Sequence, residues 1–171
     1  MNVVRACAVP VGSLMARRLP GAHFHDAWSV VPADPTLCAL GQFLKSAQAT
    51  PAWVNRLMSL RNQVVVRLGL KDLGHLDGFD ADKPVDHYQP GDRIGIFTLL
   101  ENHPDEVVLG DTDKHLDVAL SIHKAPSPET GQVVLTASTV VHVHNLLGRL
   151  YMLPVAPVHK LIVPSVMRAL V

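Results

Sequence analysis

The chain has 171 residues, 48% apolar and 18% charged, with 15 basic and 15 acidic side chains and ten histidines. Charge below the roughly 25% of an average soluble protein excludes disorder, and it leaves apolar surface that a core, a cavity or a subunit contact must absorb. Zero net charge, with Arg17-Arg18 as the only adjacent basic pair, excludes a nucleic-acid binder.

One domain spanning residues 1–171 is expected, with 1–21 as an N-terminal extension. Arg5, Pro10 and Arg17-Arg18 interrupt any apolar run of secretory type, which predicts a cytoplasmic protein. Cys7 and Cys38 form neither a CxxC nor a Cys/His metal spacing and read as small buried hydrophobes.

Residues 23–30 alternate with Phe24, Trp28 and Val30 on one face, broken only by Asp26, and predict a first strand. Asp34-Pro35 and Thr50-Pro51 each place a capping oxygen ahead of a proline and predict two helix starts. The first helix carries the stripe Leu37, Leu40, Leu44 and Ala47. The second carries Val54, Leu57, Met58, Val65 and Leu68 and ends at Gly69. Residues 71–92, rich in Asp, Gly and Pro, predict a long loop with at most a short strand at 85–88.

Four strands follow, at 93–101, 106–110, 115–124 and 132–144, joined by short turns that imply an antiparallel meander. Thirteen residues in the last strand would reach about 44 Å, against a globule about 40 Å across, so it must bend. Its hollow side needs a long apolar filler. Val158, Leu161, Ile162, Ser165, Val166 and Ala169 form such a stripe, with breaks expected at Pro154 and Pro157 and a kink at Pro164. The segment 146–171 is the most apolar, yet Arg149, His159, Lys160, Arg168 and its prolines argue against a transmembrane segment.

The expected fold is α+β: a curved antiparallel sheet packed on a long C-terminal helix, in the order strand, two helices, meander, helix. That order resembles the START-like or helix-grip superfamily, whose members enclose apolar ligands between sheet and helix. Four strings are more specific: 50–62 (TPAWVNRLMSLRN), 91–97 (GDRIGIF), 108–117 (VLGDTDKHLD) and 141–151 (VHVHNLLGRLY). They resemble the bacterial Domain of Unknown Function 2867 family from about Ala22 to the C-terminus. Segments of this kind also accompany dehydrogenase-like domains, which suits an accessory role. Gly110, Gly131 and Gly148 form no dinucleotide fingerprint, and no cofactor is implied. The superfamily usually has six strands after its helical pair, so either the 71–92 loop supplies one or the grip is incomplete.

His142 and His144 share one face of the last strand, a spacing that can hold a metal but supplies only two ligands. His115, Asp117, Ser121 and His123 share a face of the neighbouring strand, opposite Leu116, Val118, Leu120 and Ile122. Together they read as a solvated outer face, as a polar ligand contact or, least simply, as a metal site. Asp111, Asp113 and Asp117 lack the glycine and glutamate of a calcium loop and read as a turn. Arg93 opens a strand with two apolar faces and suits either a ligand carboxylate or a salt bridge to Asp92, Asp117 or Glu101. Tyr151, Met152 and Trp53 are candidates for the walls of a cavity opening. Ser121 and Ser138 lie in strands without a nucleophile elbow.

The leading expectation is a binding domain for a small apolar molecule, contacted by Arg93, Phe97, Asp117, His142, His144 and Tyr151. An enzyme of cyclase or isomerase type would instead use Arg93, Asp117, His142 or His144, and requires them to point into one concavity. The third reading is an interaction module that closes a homodimer or docks a dehydrogenase-like partner.

Overall fold

Alternating apolar residues between turn clusters give one antiparallel sheet. In the computed structural model, which describes residues 3–67, 76 and 78–171, its strands are β1 (Arg5–Ala6), β2 (Phe24–Val30), β3 (Arg93–Ile94), β4 (Phe97–Asn102), β5 (Glu106–Thr112), β6 (Leu116–Pro126) and β7 (Val133–Val143). Their order is β1-β2-β7-β6-β5-β4-β3. The helices are α1 (Ala39–Gln48), α2 (Ala52–Arg67) and α3 (Leu146–Met167). The α+β, helix-grip-like arrangement expected from the sequence is present.

Register sorts the side chains into two faces, because paired residues of an antiparallel ladder point the same way. Phe24, Asp26, Trp28 and Val30 pair with Val141, Thr139, Ala137 and Leu135, and these in turn with Val118, Leu120, Ile122 and Lys124. This inner face continues through Leu109 and Leu99. Leu40, Phe43, Leu44 and Ala47 of α1 pack on it with Met167 and Leu170 from the C-terminus. Each such fully buried leucine contributes about 2–3 kcal/mol of transfer free energy.

The outer face has its own cover. Residues 9–22 bring Met15, with Val9, Leu14, Leu19 and Ala22, onto Val108, Ala119 and Val140. Ser13 caps a short 3-10 turn at Leu14–Arg18, and the Leu14 amide donates to the Glu106 carboxylate at 2.8 Å. Ser121 and Ser138, paired across β6 and β7, are fully buried on this side. The outer face is therefore solvated only in part, and the N-terminal extension is a strap across it.

Several expected boundaries move. The first helix begins at Ala39, capped by the Cys38 thiol, while Asp34 closes a turn onto Thr36. The Thr50 hydroxyl donates back to the Ala47 carbonyl and does not cap α2. The expected stop at Gly69 lies outside the described residues, as does Leu68 of the second helix's stripe. Residues 85–87 form a 3-10 turn and not a strand. The strand expected at 93–101 is a tight hairpin, because Gly95 adopts φ 57° and Ile94 pairs with Phe97. β7 has eleven residues and not thirteen.

The largest correction concerns α3, which runs unbroken through Pro154, Pro157 and Pro164. Each proline withholds an amide from the carbonyl four residues earlier. Those carbonyls belong to Leu150, Leu153 and Lys160, all exposed. At exposed positions water can take the place of a missing donor, which lowers the cost of each proline to the helix.

Candidate functional site

A cavity of about 460 Å³ lies between the inner face and the helices. The sheet contributes Phe24, Val118, Leu120, Ile122, Ala137 and Val141, and α1 contributes Phe43 and Ala47. Leu57, Met58 and Leu60 come from α2, and Met152, Val155, Val158 and Ile162 from α3. The volume falls within the range that accommodates small organic ligands.

The placement of α3 starts at its first turn. Asn145 accepts from the Gly148 amide at 3.0 Å and donates to the Lys114 carbonyl at 3.0 Å, tying the helix start to the entrance of β6. A Cβ on Gly148 would enter the space of the His115 carbonyl and of Val143. Glycine therefore sets how closely the helix approaches the sheet.

One wall of the cavity is polar. His159 of α3 and Thr139 of β7 line it, with the His159 Nε2 3.4 Å from the Thr139 hydroxyl. Behind them the Asp26 carboxylate lies 3.0 Å from His159 Nδ1 and accepts from the Trp28 indole at 3.2 Å. Burial pushes the Asp26 carboxyl up, but the bonds from His159 and Trp28 outweigh it and hold the group below its ordinary value. An ionised carboxylate only accepts, so His159 carries a hydrogen on Nδ1. Nε2 is then the ring nitrogen left beside the cavity, next to the Thr139 hydroxyl. Phe24 meets the imidazole edge-on at 5.6 Å and completes its apolar surround.

Arg61 and Tyr151 face each other across the mouth. Arg61 donates from Nε to the Tyr151 hydroxyl at 3.1 Å, and its guanidinium lies 5.5 Å from the ring centre. This pair ties α2 to α3 over the opening.

Of the residues singled out in the sequence, Phe97 and Tyr151 line the cavity. Arg93 does not: it pairs with Asp111 at 3.0 Å and donates to Thr98 at 3.3 Å, rather than bonding Asp92, Asp117 or Glu101. Asp117 and His142 are cross-strand partners on the outer face. His144 lies 3.0 Å from the Asp117 carboxylate, and His142 bonds the Arg18 carbonyl at 2.8 Å. Arg93, Asp117, His142 and His144 thus do not converge on one concavity, which removes the geometric basis of the cyclase or isomerase reading that used them. Asp113 accepts from the His115 and Leu116 amides and closes a turn. Met152 lines the cavity, whereas Trp53 is 40% exposed and lies outside the lining. Among the described residues, no group of three or more His, Cys, Asp or Glu side chains is placed to hold a metal ion.

Asp26, Thr139 and His159 were not singled out as a site. Their signal was present as two separate interruptions: an Asp in the apolar face of β2 and a His among the apolar residues of α3. The antiparallel pairing Asp26↔Thr139 and the path of α3 bring them together.

No curated protein and no solved structure matches the chain. A family profile described as "Protein of unknown function (DUF2867)" matches residues 18–166, from the end of the strap to the last turns of α3. The chain belongs to the DUF2867 family.

Proposed function

We propose that this protein binds a small, mainly apolar molecule carrying one hydroxyl group, held between the sheet and α3. The observation that supports this reading is the mainly apolar cavity of about 460 Å³ with His159 and Thr139 on one wall and Asp26 bonded behind His159. Apolar lining supplies affinity without direction, and a few convergent polar groups fix orientation. With Nδ1 committed to Asp26, His159 Nε2 and the Thr139 hydroxyl are the polar atoms that meet the ligand hydroxyl. Phe97 and Tyr151 contribute apolar contact. Arg93, Asp117, His142 and His144 have no part in this pocket.

Titration calorimetry with naphthalene and 2-naphthol tests the reading. Both bind saturably, and 2-naphthol binds about tenfold more tightly, the worth of one net hydrogen bond. Ile162→Trp projects an indole into the cavity and weakens both. Failure of both probes to bind, or unchanged binding to this variant, would sink the proposal.

A further inference from the structure

The helices that bound the cavity mouth carry a surface that the other described residues do not cover. Among the described residues, eleven large apolar side chains are exposed, and seven of them lie on α2 and α3. On α2 they are Trp53, Leu57 and Leu60, and on α3 Leu146, Leu150, Leu153 and Leu161. Their spacing by three or four residues gives each helix an outward apolar side. Leu57 and Leu60 also line the cavity, so the apolar surface is continuous with the opening.

The hydropathy of α3 leads to the same surface. Leu146–Leu170 is long and apolar enough to cross a membrane, yet few of its residues are fully buried. A core helix of such composition would be mostly covered. Arg149, His159 and Lys160 interrupt the segment, and its inner side lines the cavity, so it is built to lie along an interface and not to cross it.

Charge identifies the partner. Residues 52–67 and 146–170 contain six of the fifteen Lys and Arg residues and none of the fifteen Asp and Glu residues, in a chain of zero net charge. Arg56 on α2 and Arg149 and Lys160 on α3 are exposed among the apolar side chains. Among the described residues, the two carboxylates at the mouth are engaged, Asp111 with Arg93 and Asp113 with backbone amides. A second copy docking through this face would set cations against cations. An anionic surface that also accepts leucine and tryptophan side chains satisfies both properties.

We propose that the α2–α3 face docks on an anionic lipid bilayer, with its leucines and Trp53 in the headgroup region and the cavity mouth against the membrane. The inference does not depend on the chemistry of the cavity ligand. Flotation of the full chain with phosphatidylcholine vesicles, with and without phosphatidylglycerol, tests it. The protein floats with the anionic vesicles, and Trp53 fluorescence is quenched by brominated acyl chains, a signal lost in Trp53→Phe. Each cation near such a surface contributes about fivefold to partitioning, so Arg149→Glu with Lys160→Glu lowers it at least about 30-fold. Leu150→Ser with Leu153→Ser lowers it as well, while both double variants keep wild-type circular dichroism and 2-naphthol binding. Absence of flotation with either vesicle, or equal flotation with neutral and anionic vesicles, overturns the proposal. So does a lipid-free dimer in sedimentation equilibrium that the serine substitutions dissolve, which would give the face to a second copy.

Discussion

Replacing Asp26 by Asn tests the polar wall at its origin. The carboxylate accepts from His159 and Trp28 at 3.0 and 3.2 Å, with its side chain only 11% exposed. Bonds to an ionised acceptor are worth about 1.5–3 kcal/mol, against about 1 kcal/mol for neutral ones. The substituted side chain retains both acceptor contacts through its amide oxygen but loses charge assistance at each, a loss of about 2 kcal/mol. Relief from burying the charge returns part of this. The expected net destabilisation is about 1–2 kcal/mol near neutral pH, read in urea denaturation as a midpoint about 0.5–1.5 M lower. The pH dependence carries the sign. A carboxyl whose folded value lies below its ordinary 3.8 stabilises the native state above that ordinary value, and its contribution disappears as pH falls through the depressed folded value. The gap between wild type and Asp26→Asn therefore persists from neutrality to about pH 5 and closes on acidification below it. A double cycle with His159→Gln isolates the pair, with about 1 kcal/mol or more of coupling expected. Equal midpoints at neutral pH, a gap that widens in acid, or zero coupling would refute the reasoning.

Three further predictions rest on single contacts. Met15→Ala, beneath the strap and fully buried, destabilises by about 2–5 kcal/mol in urea denaturation and leaves naphthol affinity unchanged, since the strap covers the face opposite the cavity. Arg61→Ala breaks the contact with Tyr151 across the mouth, so stopped-flow fluorescence records faster 2-naphthol association and dissociation with a smaller change in Kd. Gly148→Ala gains about 1 kcal/mol of helix propensity, but the added methyl meets the His115 backbone carbonyl. Overpacking of about 1–3 kcal/mol exceeds that gain, so thermal denaturation shows a lower Tm, and a raised Tm would refute the close approach of α3.

The meander was legible because its signal is local. Alternation in 115–124 and turn residues on either side place β5, β6 and β7 to within a few residues. The inner face could be read from the same alternation, since Leu116, Val118, Leu120 and Ile122 line the cavity. What was not legible depends on partners distant in sequence. The outer face carries Asp117, Ser121, His123 and His142 and reads as a solvated surface, until residues 9–22 fold back more than a hundred positions to cover its centre. Two-residue β1 has too little pattern to register, and Gly95 conceals a reversal inside an otherwise uniform apolar run. The candidate site failed for the same reason: Asp26 and His159 are 133 positions apart, and neither has a local motif.

The prolines of α3 join these observations. A proline inside a helix costs about 3 kcal/mol relative to alanine, and read locally three of them forbid a helix of 22 residues. The local reading fails because the cost depends on which carbonyl is left without a donor. Here the three carbonyls belong to exposed residues, where water can serve, and His159 and Ile162 remain on the inner side. Proline also carries apolar surface without a flexible side chain, so Pro157 extends the outward apolar side between Leu153 and Leu161 while Pro154 borders the cavity. A helix with one side against a cavity and the other against solvent would require an apolar excess that no core absorbs. The chain has that composition: 48% apolar residues overall and a C-terminal helix that keeps Leu146, Leu150, Leu153 and Leu161 exposed.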